Sequence, residues 1–278
     1  MGITPENWKN FFFSESEGLG TLYERLILHK FFEKFIKEYK IKSVIECPSF
    51  GMTGFSGINS WYFAKYNITV YICDNDSERL EWIKKLWNMA NLNAKFIKID
   101  DYTSLPFKND EFDLVWNFAA LWYLKDCNIE MVLQELARIS KKLIFISLPN
   151  KNIFYPLRKV FDKEFFEYVD ENILEIEDKM IEIFTQKGFK LVDRGYFDVP
   201  PWPDFAIKKE ELIPFLNKNK SMSGNMEKNN MVLPEYCKYI KSPDIEEKML
   251  KKYSLLENLP NCLKRFWAHH RYWIFCKR

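Results

Sequence analysis

Between residues 20 and 40, Leu22, Leu26, Leu28, Phe31, Phe32 and Phe35 recur at near-helical spacing among charged residues, and the pattern predicts an amphipathic helix. Beyond it the period changes. Short β-rich apolar runs at 43–47 and 69–74 are each followed by a segment that reads as a helix, 59–66 after the first and 77–90 after the second. Residues 94–100, 112–118 and 141–149 read as three further strands, with a helix over 129–140 between the last two. Strand and helix in alternation imply parallel strands covered by helices. A helix over 172–187 stops at Gly188, a residue suited to the left-handed cap, and a sixth strand follows over 189–199. The final stretch, 265–278, alternates large residues and supplies a seventh strand.

These elements divide the chain into an N-terminal helical cap (1–40), a Rossmann-like core (41–199), an inserted lid or substrate subdomain (200–262) and a final core strand (263–278). A connection of that length is usually functional. If the sixth strand runs parallel to the first five, the insertion starts at their carboxyl edge, where open α/β sheets bind ligands, and would roof the site. Its middle, 217–230, is polar.

Composition narrows the partners more than the fold. Forty-one Lys and Arg against 39 Asp and Glu leave a formal charge of +2, too balanced for a dedicated nucleic-acid binder. The six cysteines occur singly, without a C-x-x-C pair, so neither a disulfide framework nor a zinc site is signalled and a cytoplasmic location fits best. No uncharged apolar run approaches the length of a membrane span. Three scattered histidines make no metal signature: His29 lies in the first amphipathic helix, and His269 and His270 fall on opposite faces of a strand.

The chemistry begins at the loop after the first strand, where Gly51, Gly54 and Gly57 lie within seven positions of a chain that has only nine glycines. Glycine is needed where the backbone is left-handed or closely approached. Asp74, at the carboxyl end of the second strand, is placed to accept hydrogen bonds from ribose hydroxyls. Loop and acid alone fit a nicotinamide-dependent enzyme as well as a methyltransferase.

The stretch "IDDYTSLPFKNDEFDLVWNFAALWYL" (99–124) separates the two. Its Asp101, Leu105, Pro106, Phe107, Phe112, Asp113 and Val115 resemble the D-x-x-x-L-P-F and F-D-x-V segments of class I S-adenosylmethionine-dependent methyltransferases, particularly the ubiquinone and menaquinone branch. The resemblance implies a doubly wound, mostly parallel seven-stranded α/β sheet with a last antiparallel strand, and S-adenosylmethionine as cofactor. It assigns Glu46 to the acid ending the first strand, Asp74 to the ribose, Asp101 to the adenine amino group and Tyr102 to the adenine ring. Asn117 and Phe118 would floor the methionine end, and Pro48, Gly51, Gly54 and Asn75 complete the expected contacts. The family has glycines two, four and six positions after the first acid, where this chain has Pro48, Phe50 and Met52. Pro48 offers no amide donor.

Trp122, Tyr123, Tyr155 and Trp202 are candidates for an apolar acceptor pocket, each with ordinary packing as its rival. The expected activity is methyl transfer to a small or medium organic acceptor. The sulfonium is an activated donor, so no triad or metal cluster is required. The alternative is a non-catalytic S-adenosylmethionine-binding or regulatory protein on the same fold.

Overall fold

A computed structural model describes residues 2–13, 17–52, 55–202 and 231–278. Seven strands form one sheet in the order β3-β2-β1-β4-β5-β7-β6: β1 (Ser43–Glu46), β2 (Thr69–Asp74), β3 (Lys95–Lys98), β4 (Phe112–Phe118), β5 (Ser140–Pro149), β6 (Phe189–Phe197) and β7 (His270–Lys277). The first five pair in parallel, and β7 runs antiparallel between β5 and β6. β6 is therefore parallel to the first five, as the placement of the insertion requires. β2 lies on one side of β1 and β4 on the other, so the chain reverses its winding direction at β1.

Period-2 alternation sends each strand's side chains into two cores. Val44, Ile72, Leu114, Trp116 and Phe145 face α1 (Leu19–Tyr39), α2 (Trp61–Lys65) and α3 (Ser77–Met89). Ile45, Cys73, Val115, Ile144 and Phe275 face α4 (Ile129–Ile139) and α7 (Glu177–Gln186). The helix starts are chemically marked: Asp76 accepts hydrogen bonds from the Glu78 and Arg79 amides ahead of α3, and Asn128 accepts one from Met131 ahead of α4.

Three expectations are corrected in detail. The helix expected over 172–187 is a 3-10 segment, Glu171–Glu175, followed by α7, because the Asp170 carboxylate caps a tight turn at the Asn172 amide. Residues 155–167, without an expected element, form α5 (Tyr155–Phe161) and α6 (Lys163–Glu167). The last strand starts at His270 rather than 265, because Trp267 and Ala268 donate back to the Lys264 carbonyl and continue the turn of the short helix Asn261–Lys264. Gly188 does take the left-handed conformation, φ 86°. Of the expected lid, 203–230 lies outside the described residues. The remainder contributes helices Tyr236–Lys241 and Pro243–Tyr253, the second packing against α1.

Candidate functional site

The loop after β1 is built across the carboxyl edge of the sheet. Cys47 donates its amide to the Trp116 carbonyl of β4, and Ser49 donates to Cys73 of β2, so the chain steps from one neighbouring strand to the other. Gly51 is then forced by space: a Cβ there would lie 2.1 Å from the Phe118 carbonyl oxygen. Gly57 is glycine for conformation, at φ 67°, and its carbonyl accepts from the Trp87 indole at 2.8 Å. Gly54 lies outside the described residues.

Asp74 ends β2 fully buried, with all of its acceptor capacity in use. Arg79, in the first turn of α3, donates Nε to one carboxylate oxygen at 2.8 Å and Nη2 to the other. Ser49 Oγ donates at 3.2 Å and the Asp76 amide at 2.9 Å. The guanidinium is roofed by Phe50, whose ring centroid is 4.0 Å away, and by Trp8 at 5.8 Å. Arg79 thus claims both oxygens of the carboxylate that the sequence assigned to a ribose.

Beside this pair a cavity of about 420 Å³ remains open, lined by Pro48, Phe50, Asn75, Arg79, Tyr102 and Tyr123 among others. Its roof comes from the N-terminus: Pro5 lines it, and Tyr123 donates its hydroxyl to the Ile3 carbonyl at 2.8 Å. A larger cavity, about 850 Å³, opens at the amino ends of β2 and β3, on the far side from the loop, among turn asparagines and lysines. The smaller one lies at the switch in winding, where open α/β sheets take ligands.

Asp101 follows β3 and so shares the carboxyl edge with Asp74, but it points to solvent and accepts hydrogen bonds from the Thr103 amide and hydroxyl, both at 2.7 Å. Those bonds hold its carboxyl below the usual range. Tyr102 turns inward and lines the cavity.

The other sequence candidates lie deeper. Glu46 is buried and accepts from Ser60 Oγ at 2.6 Å; burial pushes its carboxyl up to about 7, against the pull of Ser60 and Arg25. Asn117 donates to the Cys47 carbonyl at 3.3 Å, and Phe118 packs on His270 at 4.6 Å between centroids. Neither lines the cavity. Trp122 is buried against Phe165, Tyr155 donates to Glu171 at 2.7 Å, and Trp202 packs edge-on to Tyr23. Of the four acceptor-pocket candidates only Tyr123 lines the cavity; the other three are held in packing that their size favours.

Arg79 and Phe50 were not among the sequence candidates. Arg79 had a readable signal: an arginine three residues past the Asp76 cap can reach back to an acid two residues before it. Phe50 had none, since it stands where the resembled family has glycine.

Residues 54–142 match the family profile described as "Methyltransferase domain". Over this stretch the chain is similar to a methyltransferase domain. The match covers about a third of the sequence and spans β2, which ends in Asp74, and β3, β4 and α4, with Tyr102 in the turn after β3. No curated protein matches the chain. Among solved structures, a putative sarcosine dimethylglycine methyltransferase from Galdieria sulphuraria superposes with a TM-score of 0.50 at 12% identity, covering 92% of this chain and 84% of its own. The YcgJ protein from Bacillus subtilis gives 0.49 at 13%, covering 90% and 99%. Magnesium protoporphyrin IX methyltransferase from Synechocystis PCC 6803, solved with bound SAH, gives 0.49 at 11%, covering 92% and 84%. At these identities the likeness is one of fold. Among the described residues no helix is long and apolar enough to cross a membrane.

Proposed function

We propose that the protein transfers a methyl group from S-adenosylmethionine to a small or medium organic acceptor in the cytoplasm, with the 420 Å³ cavity as the nucleoside site. The observation that carries this reading is the cavity's position at the switch in winding, beside the acid that ends β2 and lined mostly by the stretch similar to a methyltransferase domain. The residues fit a nucleoside: Asn75 offers a side-chain amide, Tyr102 and Phe50 offer ring faces, and Asp74 offers a carboxylate once Arg79 swings away. The Leu105–Phe107 and Phe112–Val115 segments support placing the domain nearest the ubiquinone and menaquinone branch.

When bound, S-adenosylmethionine supplies a methyl group already activated on a sulfonium. The work left to the chain is alignment and exclusion of water. Pro48 and Phe50 narrow the loop side of the cavity, and the roof formed by residues 2–13 is fastened through Tyr123. The stretch 200–262, which leaves the carboxyl end of β6, is the proposed acceptor-side lid, and 1–40 the cap. Six free thiols support a reducing compartment.

The Asp74–Arg79 pair favours a second reading, a binding or regulatory protein that keeps the fold without turnover. Calorimetric titration with S-adenosylmethionine, S-adenosylhomocysteine and the reduced nicotinamide dinucleotide separates the cases. Binding of the first two but not the third, with tritiated methyl transfer into a fractionated extract, is the expected result. Binding without transfer selects the second reading, and binding of neither adenosyl compound removes both.

A further inference from the structure

The geometry points to a divalent-metal site formed by Glu24, Asp198 and His270. The three come from separate elements: Glu24 from the second turn of α1, Asp198 from the residue after β6, and His270 from the first residue of β7. All are buried. One ligand atom from each can be chosen so that the three lie within 4.8 Å of one another. His270 Nε2 stands 3.9 Å from a Glu24 oxygen, and its Nδ1 3.8 Å from Asp198 Oδ2.

Those separations exceed hydrogen-bond length. An ion takes only one nitrogen of an imidazole, so one of these two separations belongs to a ligand pair, and either falls in the range of about 3 to 4 Å that metal–ligand bonds of about 2.0–2.2 Å impose on neighbouring ligand atoms. An equilateral triangle at the 4.8 Å limit has its centre about 2.8 Å from each corner. Side-chain shifts of about 0.6 to 0.8 Å therefore close the site around a cation.

The surroundings are arranged as a second layer. His269 Nδ1 lies 3.0 Å from Asp198 Oδ2, fixing the carboxylate. Phe118 and Phe197 pack on the His270 ring at 4.6 and 5.5 Å between centroids and hold it in place. Two carboxylates with one imidazole suit a borderline first-row ion such as Zn²⁺ or Mn²⁺; Ca²⁺ asks for six or more oxygens, and Cu(I) for sulfur. No spacing motif announces the site because fold, not sequence proximity, assembles it.

The test uses the full chain, stripped with a chelator and desalted, titrated with ZnCl₂ and with MnCl₂ in the calorimeter, alongside Co²⁺ loading followed by visible absorption. One equivalent of at least one of the two metals per chain, with Co²⁺ ligand-field bands displaced by that metal, is expected. Asp198→Asn and His270→Gln should each weaken binding at least ten-fold, while His29→Gln, which alters a histidine paired to Glu246 elsewhere on α1, should not. Absence of stoichiometric binding or of the Co²⁺ bands in the unaltered chain overturns the site, whether or not the variants fold. So does binding that survives both ligand substitutions. Binding is read without any methyl donor, so the metal site and the methyl-transfer reading fail separately.

Discussion

Replacing Arg79 by Met probes the most unusual feature of the proposed nucleoside site. Met keeps an unbranched apolar stem against Phe50 and deletes the guanidinium. Asp74 is fully buried and loses two of the four donors that hold it, keeping only Ser49 Oγ and the Asp76 amide. Hydrogen bonds to a charged group contribute about 1.5 to 3 kcal/mol each, and removing one partner of a buried ion pair costs about 3 to 5 kcal/mol. The ligand-free variant should therefore lose about 4 kcal/mol in urea denaturation. The same substitution should tighten S-adenosylhomocysteine, because the ligand no longer has to break the pair before its ribose reaches the carboxylate. A stability loss below about 1 kcal/mol would mean that the pair contributes little to the folded state. Weaker binding of S-adenosylhomocysteine by the variant would mean that Arg79 holds the ligand rather than blocks it. Either result refutes the reasoning.

Glu46 gives a pH test. Its folded carboxyl binds a proton more tightly than the ordinary value of 4.5, mainly because of burial, so stability is fully present below about 4.5 and falls as pH rises through about 7. The loss amounts to about 3 kcal/mol at 1.36 kcal/mol per unit; Glu46→Gln should flatten the stability profile over that window, and identical profiles for the two chains would count against the assignment. Gly51→Ala would drive a Cβ into a β4 carbonyl that no rotamer change can move, and should cost about 3 kcal/mol or more by denaturation. A loss under about 1 kcal/mol would show that the loop stands off the sheet. Tyr123→Phe removes the bond to the Ile3 carbonyl, worth about 1 kcal/mol, and should speed amide exchange in residues 2–13 with little effect on the sheet core; unchanged exchange would argue that Tyr123 does not fasten the roof.

The sheet was legible in the sequence because strands buried on both faces read as continuous apolar runs bounded by turns, as "SVIEC" and "TVYICD" do. The 99–124 stretch then separated a methyltransferase from a nicotinamide enzyme, and the match over 54–142 agrees. Side-chain direction was not legible. Asp74 and Asp101 share an edge as expected, yet one is clasped by Arg79 and the other turns into solvent around Thr103. A sequence locates a carboxylate at a strand end but not the local donor that claims it. The same limit hid the grouping of Glu24, Asp198 and His270, which come from α1, the residue after β6 and the start of β7. Helices α5 and α6 were missed because they are only seven and five residues long, and the helical spacing of Leu157, Val160 and Phe161 lies on an exposed face.

A crystal structure of the full chain soaked to saturation with S-adenosylhomocysteine tests the central claim most directly. The account predicts the adenosine in the cavity beside Asn75 and Tyr102, its ribose hydroxyls on Asp74, and the Arg79 guanidinium displaced from that carboxylate. Ligand bound elsewhere, with Arg79 still clasping Asp74 and the cavity lacking density for a nucleoside, would contradict it.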